Sequence, residues 1–200
     1  MPWNTPIFSW TAWLPLEPIF YPLATSPFDI AARNLRSRHI AFLPGGAYSY
    51  VINELDSTVT TYHYAPGREI FQPIQTISTL PAGFSGENTE SEIQVAPSGK
   101  FVYGSNRGHN SIVVFAIDHL TGRLHPLQWA PTQGETPRFF TLDPTGNFLY
   151  ALNQDSDTLV IFMVDQATGI LTTTGQIIQS GSPVCLAFIQ WLARYLVSWG

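Results

Sequence analysis

Apolar runs and polar breaks recur in one fixed order along the middle of the chain. From Arg38 to Tyr62 the text RHIAFLPGGAYSYVINELDSTVTTY gives an apolar run, a Pro-Gly break, a second apolar run, a polar break and a β-branched run. The order returns in SEIQVAPSGKFVYGSNRGHNSIVVFAI, from Ser91 to Ile117, and in RFFTLDPTGNFLYALNQDSDTLVIFMV, from Arg138 to Val164. The three units superpose without gaps around shared anchors. Pro44, Pro97 and Pro144 align, then Gly46, Gly99 and Gly146, then Tyr50, Tyr103 and Tyr150, then Asn53, Asn106 and Asn153. Four matched positions in each unit, in register, define a repeat of roughly 50 residues.

Each unit reads as the same set of strands. A short strand ends at a Pro-x-Gly turn, where proline presets φ and glycine tolerates the exit. A second strand follows, Phe148 to Leu152 in the third unit, then a polar turn from Asn153 to Asp157. Thr158 to Val164 is a third strand, rich in β-branched and aromatic residues. Asp165 to Gly169 is a hairpin loop, matched by Asp118 to Gly122, and Leu171 to Ile178 is a fourth, outer strand. No unit has a helical period, so the chain ends are the only places where helix remains possible. Four antiparallel strands per unit predict an all-β protein built as a β-propeller. The link PAGFSGENTE, Pro81 to Glu90, is longer and more polar than the others and is placed at the ring surface.

The repeat has limits. Residues 1–36 form an atypical N-terminal segment, residues 37–188 hold three blades and the start of a fourth, and residues 189–200 form an atypical tail. Ser182 to Phe188 resembles Ser37 to Phe42, but no Pro-x-Gly turn follows it. The expectation is that both ends are not native blade sequence, from a truncated or frame-shifted reading frame. Three blades leave two apolar sheet faces uncovered, which predicts self-association through those faces.

Composition agrees with this reading and removes some functions. Charged residues are 12% and aromatics 14%, with 15 glycines and 16 prolines, a balance that suits strands and turns. The net charge of −5 argues against a nucleic-acid partner. Cys185 is the sole cysteine, so no internal disulfide is available. Met1 to Phe20 has no basic start and is broken by Pro2, Pro6, Pro15 and Pro18, which rejects a signal peptide. The apolar run Leu186 to Trp199 is too short to span a membrane. The expectation is a soluble, cytoplasmic chain with no membrane partner.

The segments VINELDSTVTTY, SEIQVAPSGKFVYGSNRGHNSIVVFAID and TPRFFTLDPTGNFLYALNQDSDTLVIF resemble the lactonase family of seven-bladed propellers. That family includes bacterial 6-phosphogluconolactonase and the fungal carboxymuconate-cyclising enzymes. The resemblance covers Arg38 to Phe188, about half of a seven-bladed ring. It implies cytoplasmic chemistry on a sugar or muconate lactone, with no metal or other cofactor.

Two sets of residues are candidates for that chemistry. The residue after each aligned Asn differs in charge: Glu54, Arg107 and Gln154. A framework that repeats while one rim position varies suits a ligand site; the competing reading is three solvated turn residues. The second set stands where each first strand begins. His39 and Glu92 are equivalent, and Arg138 lies within one residue of them. Charges at the mouth of a central channel are costly to desolvate unless they meet each other or a ligand. The competing readings are a core histidine for His39 and an inter-blade ion pair between Arg138 and Glu92.

Lactone hydrolysis needs a base to activate water, with His39, Glu54 and Glu92 as candidates. It also needs donors for the developing oxyanion and arginines for an anionic substrate group. Arg107 and Arg138, with Gln154 beside them, are the substrate-binding candidates. His109 is a possible helper or an exposed turn histidine. A metal site is not expected, because no two of the five histidines sit at ligand spacing with a carboxylate on one element. Asp155 and Asp157 supply too few oxygens for calcium. No G-x-S-x-G elbow and no Gly-rich phosphate loop occurs. Three functions remain: a hydrolase of 6-phosphogluconolactone in the oxidative pentose phosphate route, a carboxymuconate cyclase, or an inactive propeller fragment that only binds.

Overall fold

The computed structural model describes residues 37–64 and 71–189. It contains twelve strands in three antiparallel sheets, each running in chain order. The first sheet is β1 (Ser37–Phe42), β2 (Tyr48–Asn53), β3 (Thr58–Tyr64) and β4 (Phe71–Ser78). The second is β5 (Glu90–Val95), β6 (Phe101–Asn106), β7 (Ser111–Ile117) and β8 (Leu124–Pro131). The third is β9 (Pro137–Leu142), β10 (Phe148–Asn153), β11 (Thr158–Val164) and β12 (Leu171–Gln179). The described chain is thus a partial β-propeller of three blades, as the repeat predicts. Residues 1–36 and 190–200, the chain ends where helix stays possible, lie outside the described residues.

The repeated residues have local jobs. Gly46, Gly99 and Gly146 close their turns by donating N–H to the carbonyls of Leu43, Ala96 and Asp143, at 3.0, 2.8 and 2.9 Å. The aligned asparagines are buried and bridge the next turn. Asn53, Asn106 and Asn153 donate from Nδ2 to the hydroxyl of the residue five further on: Thr58, Ser111 and Thr158. Asn106 and Asn153 also reach back to the carbonyls of Thr79 and Thr132, locking each blade to the end of the one before. Buried polar groups need such partners.

The core lies between blades. One cluster joins Tyr50, Ile52 and Val59 of the first blade to Ile93, Val102, Val113 and Phe115 of the second. The other joins Tyr103, Ile112 and Val114 to Phe140, Leu149, Ala151 and Phe162. Glutamines add hydrogen bonds across the same boundaries. Gln75 exchanges two with the main chain of Leu124, and Gln128 two with Leu171. The outer faces keep apolar residues in solvent: Ile40 and Phe42 on the first blade, Phe148 and Met163 on the third.

Residues 180–189 form no strand. Their entry nevertheless repeats the earlier links. Ser182 N–H donates to Asp157 Oδ1 (2.7 Å), as Thr136 N–H does to Asn110 Oδ1 (3.0 Å). Phe188 then packs edge-on against Tyr150, with ring centres 5.3 Å apart. Residues 180–189 thus repeat the inter-blade link without adding a strand to the three sheets.

Candidate functional site

The innermost strands β1, β5 and β9 lie side by side. Each meets its second strand with an irregular register near its first residues. Ser37 pairs with Asn53 and His39 with Ile52, which leaves Arg38 out of the ladder. Pro137 pairs with Asn153 and Phe139 with Leu152, which leaves Arg138 out. Glu90 pairs with Asn106 and Ile93 with Gly104, so Ser91 and Glu92 lie in the same irregularity. Bulges of this kind re-aim side chains. The antiparallel pairing also brings the turns after Asn53, Asn106 and Asn153 to this end of the blades. All six candidate residues thus stand on one rim.

Two contacts on that rim cross from the first blade to the second. Nδ1 of His39 lies 3.1 Å from Oε1 of Glu92. The His39 side chain is 44% exposed and Glu92 is buried. The same carboxylate oxygen accepts the N–H of Ile93 at 3.0 Å, which fixes its direction. The second contact is a cluster. Oε1 of Glu54 accepts from Nη1 of Arg38 at 3.1 Å and from Nη2 of Arg107. Arg107 Nη2 also donates to the carbonyl of Glu90 at 3.0 Å. Burial pushes the Glu54 carboxyl up, but the bond and charge of Arg107, joined by Arg38, hold it below its ordinary range.

The third blade contributes differently. Arg138 is exposed and makes no ion pair among the described residues; its carbonyl accepts the Ser91 hydroxyl. Glu92 is therefore paired with His39 and not with Arg138. Gln154 is half-buried and holds the carbonyl of Thr136 through its N–H at 2.9 Å. Its Oε1 is buried with no partner among the described residues. His109 is held by Ser111 Oγ at Nδ1 (2.7 Å) and edge-on by Phe84, and desolvation lowers its pKa. That histidine is a fixed part of the second blade's turn.

Sequence reasoning missed Arg38. It stands six residues before Pro44, as Arg138 stands six before Pro144, so the gapless superposition already made them equivalent. It also missed Glu90 and Asn88, which the long link brings under the rim. That link is solvent-exposed at Gly83 but turns inward to a fully buried Glu90. Beside it, Leu55, Glu87, Asn88, Thr89 and Arg107 line a shallow concavity of about 390 Å³. Among the described residues no group of three His, Cys, Asp or Glu is placed to hold a metal ion.

Arginines, carboxylates and a histidine thus gather at one end of three four-stranded propeller blades. The chain belongs to the lactonase family of seven-bladed β-propellers, whose model matches residues 31–188. It is 41% identical over 106 residues to the 6-phosphogluconolactonase of Bacillus subtilis, a match covering 53% of this chain and 30% of that protein. The periplasmic gluconolactonase of Pseudomonas aeruginosa superposes with a TM-score of 0.73 at 32% identity, covering 77% of this chain and 42% of that one. A Lactobacillus plantarum protein superposes with a TM-score of 0.74, also at 32% identity, covering 77% and 45%. The chain spans about a third of the length of the curated relatives it matches, 33% and 30% for two of them.

Proposed function

We propose that this chain carries part of the site of a lactone hydrolase, with 6-phosphogluconolactone as the substrate. The observation that carries this reading is the joined rim. Arg38, Glu54 and Arg107 form one cluster, and His39 faces Glu92 beside it.

In this reading His39 is the base. A carboxylate facing Nδ1 favours the proton there and leaves the Nε2 lone pair free to take a proton from water. The resulting hydroxide attacks the lactone carbonyl, the acyl C–O bond of the ring breaks, and the ring oxygen leaves as a hydroxyl by taking back the proton from His39 Nε2. Glu92 orients His39. Glu54, bound by two guanidinium groups and held ionised, serves as their counter-charge and not as the base. Arg107 and Arg138 bind the substrate's anionic group, and Gln154 offers its amide to substrate hydroxyls. A cytoplasmic location, in the oxidative pentose phosphate route, belongs to the same proposal. Among the described residues no helix is long and apolar enough to cross a membrane.

A second reading, an inert chain that only binds, is favoured by the exposed Ile40, Phe42, Phe148 and Met163 on the outer faces. These faces would meet further blades or a second copy. Hydrolysis of 6-phosphogluconolactone, followed by coupling released 6-phosphogluconate to its dehydrogenase, separates the two. Turnover above the spontaneous rate, lost in Arg138→Ala with the fold intact, supports the enzyme. Spontaneous rate only, with light scattering showing assembly, supports the binding reading. Turnover of carboxymuconolactone in place of the sugar lactone would assign the cyclase chemistry.

A further inference from the structure

Glu90 is fully buried and forms no ion pair among the described residues. Its Oε1 accepts from Thr79 Oγ1 at 2.8 Å and from Asn88 Nδ2 at 2.7 Å. Its Oε2 is buried and unpartnered among the described residues. Desolvation lifts its pKa to about 8, against the bonds from Thr79, Ser57 and Asn88 and the nearby charge of Arg107. The repeat does not require an acid here. The equivalent positions, opposite Asn53 and Asn153, are Ser37 and Pro137.

What distinguishes Glu90 is where its main chain reaches. Its N–H donates to the carbonyl of Glu54 at 3.0 Å, and its carbonyl accepts from Arg107 Nη2 at 3.0 Å. One residue is thus bonded to both members of the Glu54–Arg107 contact. Its side chain is anchored in turn by Thr79, at the end of the first blade, and by Asn88. Asn88 is itself tied to Ser57 Oγ (2.9 Å) and to the N–H of His109 (3.0 Å).

We propose that Glu90 is a positioning residue: its anchored side chain and its bonded main chain hold the Arg107 guanidinium in place for binding the substrate's anionic group. This rests on the reading of Arg107 as an anion binder. The neutral form matters physically. An ionised carboxylate at this spot would compete with Glu54 for Arg107, whereas a neutral acid anchors the peptide without that pull. Glutamine reproduces the shape and neutrality of the acid, and alanine removes the anchor.

The test titrates 6-phosphogluconate into the full chain, as wild type, Glu90→Gln and Glu90→Ala, by calorimetry. In parallel, nitrogen-detected NMR follows the Arg107 side chain without ligand. Glu90→Gln should bind within about twofold of wild type, and Glu90→Ala about tenfold more weakly, the scale of one lost charge-assisted bond. The Arg107 signal should stay sharp in Glu90→Gln and broaden or shift in Glu90→Ala. Should Glu90→Ala fail to fold, Thr79→Val removes one anchor and should move the same signal the same way. An Arg107 signal unmoved by loss of the anchors, or a glutamine variant as damaged as alanine, overturns the proposal. Absence of binding by wild type overturns the anion-binding reading of Arg107, and the NMR comparison still decides the role of Glu90.

Discussion

Nδ1 of His39, on the first blade, lies 3.1 Å from Oε1 of Glu92, on the second. The contact joins the ends of two neighbouring blades. It also gives the imidazole one orientation, because Ile93 N–H fixes the same carboxylate oxygen. If His39 is the base, His39→Asn should lower kcat by about 10²-fold or more, within the usual range for a lost general base. Glu92→Gln should lower kcat less, with KM little changed, since it disturbs orientation and not contact with substrate. Steady-state kinetics on the sugar lactone, with circular dichroism to confirm folding, check both. Equal kcat values for wild type and His39→Asn would remove His39 from the chemistry.

Glu54 neutralises two arginines at once, so its loss should be felt in stability as well as binding. Glu54→Gln leaves Arg38 and Arg107 facing each other without a counter-charge, and Arg107 is largely buried. The expected cost is about 1–3 kcal/mol, discounted from the buried-pair range because Glu54 is partly solvated. Urea unfolding of the variant measures it. Adding Arg38→Met should recover part of the loss, because one of the two repelling charges is gone; a double variant no more stable than Glu54→Gln would mean that the charges do not interact.

The two acids near Arg107 should give the protein opposite responses to pH. The Glu54 carboxyl is held low, so its contribution to stability is present above its unfolded pKa, ordinarily 4.5, and is lost as pH falls through the lower folded value. Glu90 is raised from 4.5 to about 8. Below 4.5 both folded and unfolded chains hold its proton. Between 4.5 and about 8 only the folded chain does, so stability falls as pH rises through that window. The slope from this one group is at most about 1.4 kcal/mol per pH unit. Denaturation midpoints measured from pH 4 to 9 should show this decline in wild type and a flatter curve in Glu90→Gln. Parallel curves would mean that Glu90 is ionised in the fold at neutral pH.

The fold was legible because its signals are local. The Pro-x-Gly turns and the buried asparagines each act within a few residues, so they repeat in the text as they repeat in space. The rim was legible at the level of residue type, through Glu54, Arg107 and Gln154 following equivalent asparagines. The pairings were not. Whether Glu92 meets His39 or Arg138 depends on how one blade packs on the next, and the repeat cannot supply that. Glu90 was hidden for a different reason. It aligns with Ser37 and Pro137, so no periodicity marks it, and its partner Asn88 lies in a link whose length has no counterpart.

The packing of blades makes its sharpest demand at the hairpin glycines. Gly169 has φ +76°, and a Cβ there would sit 2.5 Å from the Phe101 ring of the preceding blade. Its carbonyl accepts the Tyr103 hydroxyl at 3.0 Å, so the loop cannot easily move away. Gly122 repeats the arrangement one blade earlier, with φ +69° and a Cβ placed 2.4 Å from Tyr48. Alanine at Gly169 meets two penalties: left-handed backbone, about 1–2 kcal/mol, and a ring displaced from a packed core, about 1–3 kcal/mol. Gly169→Ala should therefore lower unfolding free energy by roughly 2–5 kcal/mol in urea titrations. Phe101→Leu in the same chain opens space at the contact and should recover part of the steric share, leaving the backbone share. Gly175 is the control, because it also has positive φ, +77°, but nothing stands within 4 Å of its Cβ position. Gly175→Ala should cost only the backbone share. If the two alanine variants lose equal stability, the close approach between the second and third blades contributes nothing beyond backbone strain.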